Sequence, residues 1–133
     1  MTQLVTDQGF VTDDWTSGYT VLGCANDASS LHVQSDAVPD EIQLSSILEM
    51  VRIDFPSSAD GRGFTIARNL RLRGYTGRLR AHGHVLADQY AMARRAGFDE
   101  VEIPDDLAAR QPQDQWLARA NWRDHDYQSR LRG

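Results

Sequence analysis

From residue 50 to residue 111 the chain alternates between two hydrophobic periods, and this narrows the folds open to it more than any other feature. Met50-Val51-Arg52-Ile53-Asp54-Phe55, Arg78-Leu79-Arg80-Ala81-His82 and Glu100-Val101-Glu102-Ile103 read as strands, because apolar residues recur at every second position. Between them the period lengthens. Phe64, Ala67 and Leu70, with Ile66 alongside, predict a helix over 64–73 that Gly74 stops. Leu86, Tyr90 and Ala93 predict a second, starting near Asp88 and stopped by Gly97. Pro104-Asp105-Asp106-Leu107 opens a third helix, broken at Pro112, and a short one is predicted over 114–122. Strand–helix units of roughly 25 residues are the signature of βαβ crossovers and a parallel sheet. Upstream, Gly9-Phe10-Val11, Trp15, residues 18–23 and Ser29 to Val33 read as strand fragments between turns, and Pro39-Asp40-Glu41 as a turn or helix start. The expected fold is α/β, with consecutive βαβ units carrying a small mainly parallel sheet, preceded by short N-terminal strands. One domain of 133 residues is expected, with acidic strands and turns over 1–49, βα units over 50–122 and a polar tail over 123–133. A flat sheet and a barrel-like arc both satisfy the pattern.

Charge is unevenly placed along this chain of net charge -5. Residues 1–50 hold eight acids and no arginine, whereas residues 62–95 hold eight arginines and one acid, Asp88. All fourteen cations are arginine, each able to make forked contacts with a carboxylate or oxyanion. The acidic sign and the lack of interleaved aromatics argue against a nucleic-acid partner. No apolar run approaches the roughly 20 residues of a membrane span. Met1 to Phe10 has no basic or apolar leader segment, so no membrane partner and a cytoplasmic location are expected. The single cysteine, Cys24, excludes an internal disulfide or a CxxC pair, and its acidic setting disfavours a nucleophilic thiol.

A parallel sheet opens the C-terminal ends of its strands on one edge, where ligands of α/β folds bind. That edge is expected to collect Asp60, Arg62, His82, His84, Asp88, Asp105 and Asp106. Asp60, His82 and Asp88 are the acid/base candidates, and Gly61, Arg62, Gly63, Arg80 and His84 the candidates for binding an anion or a partner. Arg62 and Arg80 are favoured as flanking the strand ends, while Arg68, Arg71, Arg94 and Arg95 read as solvated helix faces. Asp60 and Asp88 can equally be helix caps, and Gly61 and Gly63 turn-formers. Gly61-Arg62-Gly63 begins like a dinucleotide fingerprint but has Ile66 where the third glycine belongs, and no lysine is present for a P-loop. His82-Gly83-His84 puts two imidazoles on one strand face, but no third ligand is fixed by spacing, so no metal is expected.

Phe55-Pro56, Asp60-Gly61-Arg62-Gly63-Phe64, Ala67-Arg68, Leu70-Arg71, Arg73-Gly74-Tyr75, Gly77, Leu79-Arg80-Ala81, Gly83, Val85-Leu86, Asp88-Gln89, Arg94, Gly97-Phe98-Asp99 and the closing Tyr127-Gln128 resemble the bacterial family called domain of unknown function 934. The resemblance implies a probable oxidoreductase or accessory protein of sulfite reduction, since such proteins accompany sulfite-reductase components. Ser57-Ser58-Ala59 stands where the family often has Lys, an aromatic residue and Thr, and Ala96 where it commonly has Cys. An oxidoreductase needs an electron carrier. This chain has no cluster cysteines, haem-attachment motif or complete dinucleotide fingerprint, so no cofactor is expected. The leading expectation is an accessory protein of assimilatory sulfite reduction. Its Arg62/Arg80/His82 edge binds a small anion or docks on a pathway protein. One alternative is a stand-alone enzyme with Asp60 and His82 as acid/base groups and Arg62 clamping an anionic substrate. Another is a scaffold or homo-oligomer pairing arginines with the acidic N-terminal half.

Overall fold

A computed structural model describes residues 2–15, 18–21 and 29–122. Cys24, the end of the fragment expected over 18–23, and the tail with Tyr127 and Gln128 lie outside the described residues. Seven strands form one open sheet: β1 (Thr2–Thr6), β2 (Gly9–Val11), β3 (Thr20–Val21), β4 (Ser30–Val33), β5 (Met50–Phe55), β6 (Arg78–Gly83) and β7 (Glu100–Pro104). Their order is β2-β1-β7-β6-β5-β4-β3. Strands β3 to β7 run parallel, and β1 closes the array antiparallel to β7 with Val5 opposite Val101. The α/β class, the mainly parallel sheet and the short N-terminal strands therefore stand. Strand β1 lies in the region expected to hold strands and turns, upstream of the first fragment named there.

Helix α1 (Arg62–Leu72) follows β5, α2 (Tyr90–Ala96) follows β6, and the short α3 (Asp105–Arg110) and α4 (Gln113–Leu117) follow β7. α1 begins two residues earlier than the hydrophobic spacing indicates, because the Asp60 carboxylate accepts the Arg62 N–H at 3.1 Å. α1 and α2 end alike. The Tyr75 N–H bonds the Leu70 carbonyl and the Phe98 N–H bonds that of Ala93, with Gly74 and Gly97 at positive φ in between. α4 stops at Leu117, short of the expected 122.

The core lies on one sheet face. Val33, Ile53, Ala81, Val101 and Val5 form one row across five strands, all fully buried. Phe55, Phe64 and Phe98 pack ring to ring above it, with centroids 4.9 to 6.3 Å apart. Gly63 is there for proximity, since a Cβ would sit 2.5 Å from the Phe55 ring. Trp116 lies edge-on to Tyr90, whose hydroxyl donates to Asp7 at 2.5 Å and ties α2 to the β1–β2 turn. Arg71 and Arg94 are fasteners rather than solvated charges. Arg71 donates to the carbonyls of Tyr75, Gly77 and Gly97, and Arg94 to that of Phe98. Long guanidinium forks can satisfy several loop carbonyls at once, which helical spacing does not reveal.

Candidate functional site

Two hollows among the described residues open on the C-terminal rim of the sheet. The larger, about 430 Å³, lies between the β5–α1 loop, the β6–α2 loop and α3, and is lined by Pro56, Ser57, Ser58, His84, Leu86, Leu107, Arg110 and Gln111. The second, about 250 Å³, is bordered by Ser35, Asp36, Pro39 and Arg62. Arg62 reaches back to Asp60 through a forked pair, Nε to Oδ1 at 2.9 Å and NH2 to Oδ2 at 2.7 Å, and also donates to Ser35. Hydrogen bonds from the Arg62 guanidinium and backbone N–H hold the Asp60 carboxyl far below the usual carboxylate range. Asp60 is thus committed to the backbone N–H and the guanidinium of Arg62, a poor starting state for a proton acceptor. The Arg62 side chain itself remains 61% exposed. Gly61 caps α1 with ordinary backbone angles, and Gly63 serves packing. Asp88 makes an exposed ion pair with Arg119 at 2.8 Å, outside both hollows.

His82 and His84 do not share a face. Gly83 turns the chain with φ +115, where a Cβ would meet the Phe55 carbonyl at 2.5 Å, so His84 swings into the rim hollow while His82 stays on the sheet. Among the described residues no group of three or more His, Cys, Asp or Glu side chains is placed to hold a metal ion.

The sheet face opposite the helices carries the other concentration of chemistry. Alternation puts His32, Arg52, Arg80 and Glu100 in one row and Asp54, His82 and Glu102 in the next. Arg80 therefore does not flank a strand end. It sits in the middle of β6 with its side chain fully buried, donating to Glu100 at 2.6 Å, Glu102 at 3.0 Å and Asp13 at 2.9 and 3.0 Å. Burial opposes the charged guanidinium, but the Asp13 bond and the Glu100 charge more than offset it and raise its pKa. Burial likewise opposes the Glu102 carboxylate, yet bonds from Arg80 and Thr2 keep its pKa below 4.5. Asp13 behaves the same way under Arg80 and the Trp15 backbone N–H.

On this face His82 Nδ1 lies 3.2 Å from Asp54 Oδ1, and its ring is edge-on to His32 at 5.5 Å. His32 Nδ1 accepts from Arg52 Nε at 3.0 Å. Burial and the Arg52 charge push the His32 pKa below 6.5, which favours the neutral imidazole. Arg52 in turn stacks on Tyr19, 3.8 Å from the ring centroid. His32, Arg52, Asp54, Glu100, Glu102 and Asp13 escaped the rim-centred reading of the sequence. The signal was present in charged residues at alternate positions of three consecutive strands, since fully covered parallel strands are usually apolar on both faces.

No curated protein and no solved structure matches this chain. A family model does match, over residues 30–133, which span β4 to the C-terminus and include both rim hollows and most of the charged face. The chain accordingly belongs to the family described as bacterial protein of unknown function, DUF934.

Proposed function

We propose that the protein is an accessory component of assimilatory sulfite reduction that receives an anionic group at the C-terminal rim of its parallel sheet. The observation that carries the binding half is the larger hollow. It sits where α/β sheets bind ligands, and it combines His84, Arg110 and the Ser57 and Ser58 loop with the apolar walls of Pro56, Leu86 and Leu107. The Arg110 side chain is 68% exposed, and it meets only Asp106, its carbonyl at 3.4 Å and its carboxylate at 3.6 Å, which leaves donors for an anion. Arg62 supplies a second exposed cation on the same rim. The pathway half rests on the family resemblance. Arg80 and His82, first grouped with Arg62, lie on the sheet face, so His84 and Arg110 take their place in the proposal. The test is growth of a strain lacking the protein on sulfate or sulfite as sole sulfur source. Slow growth is expected, restored by the wild-type chain but not by His84→Ala/Arg110→Ala. Normal growth of the deletion strain overturns the pathway assignment. Full rescue by the double variant overturns the site.

One observation favours a second reading, a small enzyme. Asp54, not Asp60, is placed to orient the His82 imidazole as a general base. Turnover of a sulfur oxyanion by the purified protein, lost in Asp54→Asn and His82→Gln but kept in Asp60→Asn, would move the assignment there.

A further inference from the structure

We propose that the charged sheet face is a docking site for an acidic segment of a partner protein, and that Asp13, Asp14, Trp15 and Tyr19 of this chain are its built-in occupants. Four observations carry this. First, the segment that bears them meets the face through charge and aromatic contacts. Asp13 forks onto Arg80, Asp14 lies 2.9 Å from Arg78, Trp15 is 5.7 Å from the Arg78 guanidinium, and Tyr19 stacks on Arg52. A bond from Ser30 to the Gly18 carbonyl adds to them. Second, none of the described residues between 12 and 19 belongs to the hydrophobic core cluster, so the segment can leave without opening the core. Third, the charge balance favours a replaceable acid pair. With the segment in place, Arg52, Arg78 and Arg80 pair with four carboxylates, Asp13, Asp14, Glu100 and Glu102. Without it the same three guanidiniums share two, Glu100 and Glu102. Fourth, Arg52 and Arg80 are direct partners across β5 and β6, and like charges so placed are unfavourable until carboxylates neutralise them.

The occupant is therefore specified by the chain itself as two adjacent carboxylates followed by an aromatic ring that covers a guanidinium. Glu100 and Glu102 keep Arg80 neutralised when Asp13 departs, so release leaves no bare buried charge. A partner segment of the same pattern competes with the internal one, and the two bind exclusively. This is intramolecular blocking of a recognition face, tuned by the effective concentration of the tethered segment.

The experiment uses a labelled synthetic peptide of residues 11–19 as probe and the full chain as receptor, read by fluorescence anisotropy. Asp13→Asn/Asp14→Asn is expected to bind the peptide about tenfold or more tightly than the wild type. That binding should weaken with added salt and disappear when Arg78→Ala is added. Arg68→Ala, which removes an exposed cation remote from these contacts, should leave it unchanged. If the double variant does not fold by circular dichroism, Asp14→Asn alone is used, since that side chain is 71% exposed. No binding to the variant, equal binding by a peptide with both Asp replaced by Asn, or displacement by inorganic phosphate as effective as by unlabelled peptide each overturns the proposal.

Discussion

Val33, Ile53, Ala81 and Val101 lie in one row across the sheet, and one residue away along the same strands lie His32, Arg52, Arg80 and Glu100. The first row is buried under helices and held by the removal of apolar surface from water. In the second, Arg80 and Glu100 are buried among counter-charges, with His32 and Arg52 half-buried beside them. Non-directional burial tolerates small shifts, whereas a buried guanidinium must find its carboxylates in place or carry an unpaired charge. The helical face therefore holds by area, and the charged face by directional pairing, with Glu100 and Glu102 on β7 and Asp13 from the segment after β2 all bonded to Arg80.

The comparison can be broken first at its centre. Arg80→Met should destabilise by about 3–5 kcal/mol, since it leaves Glu100 and Glu102 buried without their shared cation. Phe55→Ala on the other face should lose a similar amount, about 3–5 kcal/mol, by opening a cavity. The two differ in rescue. Replacing Arg80, Glu100 and Glu102 together by Met, Leu and Leu should recover most of the stability, because the desolvation penalty goes with the charges. Urea midpoints of the variants decide the matter, and a triple variant no more stable than Arg80→Met would mean that the charged row is structurally irreplaceable.

Gly63→Ala sharpens the apolar side. Its added methyl meets the Phe55 ring within 2.5 Å and should cost about 1–3 kcal/mol by overpacking. An unchanged thermal midpoint would show that the ring can move aside.

The smallest effect is the response to acid. His32 has a folded pKa below its ordinary 6.5, so between these values the unfolded chain binds a proton that the folded chain refuses. Stability is therefore present above pH 6.5 and is lost as pH falls toward the folded value. Glu102 and Asp13, depressed below 4.5 and 3.8, continue the decline at lower pH with the same sign. Urea midpoints measured at descending pH should fall, and His32→Gln should remove the earliest part of the decline. A flat profile until the carboxylate range would show that His32 is free to ionise in place.

Local readings survived where local physics decides. The strands of the βα units, the glycine stops at 74 and 97 and the break at Pro112 follow from period and backbone chemistry within a few residues. Strand β1 did not declare itself, because Thr2–Thr6 is ordered through pairing with β7, about a hundred residues away. His84 belongs to the rim as expected, but His82 does not join it, since the turn at Gly83 separates neighbours that strand spacing would keep together. Arg110 went unnoticed as a rim residue because a helix-end arginine is unremarkable until its hollow exists.

By itself, the sequence determined the strands and helices of the βα units, and that charged residues alternate with apolar ones in three of those strands. Those properties are set by neighbours along the chain. Only the tertiary structure decided that the alternating charges meet as one buried network, that Asp13 and Asp14 supply its last partners, and that His84 and Arg110 face one hollow. Strand register and crossover connections bring such groups together over long sequence separations, and no periodicity encodes that distance.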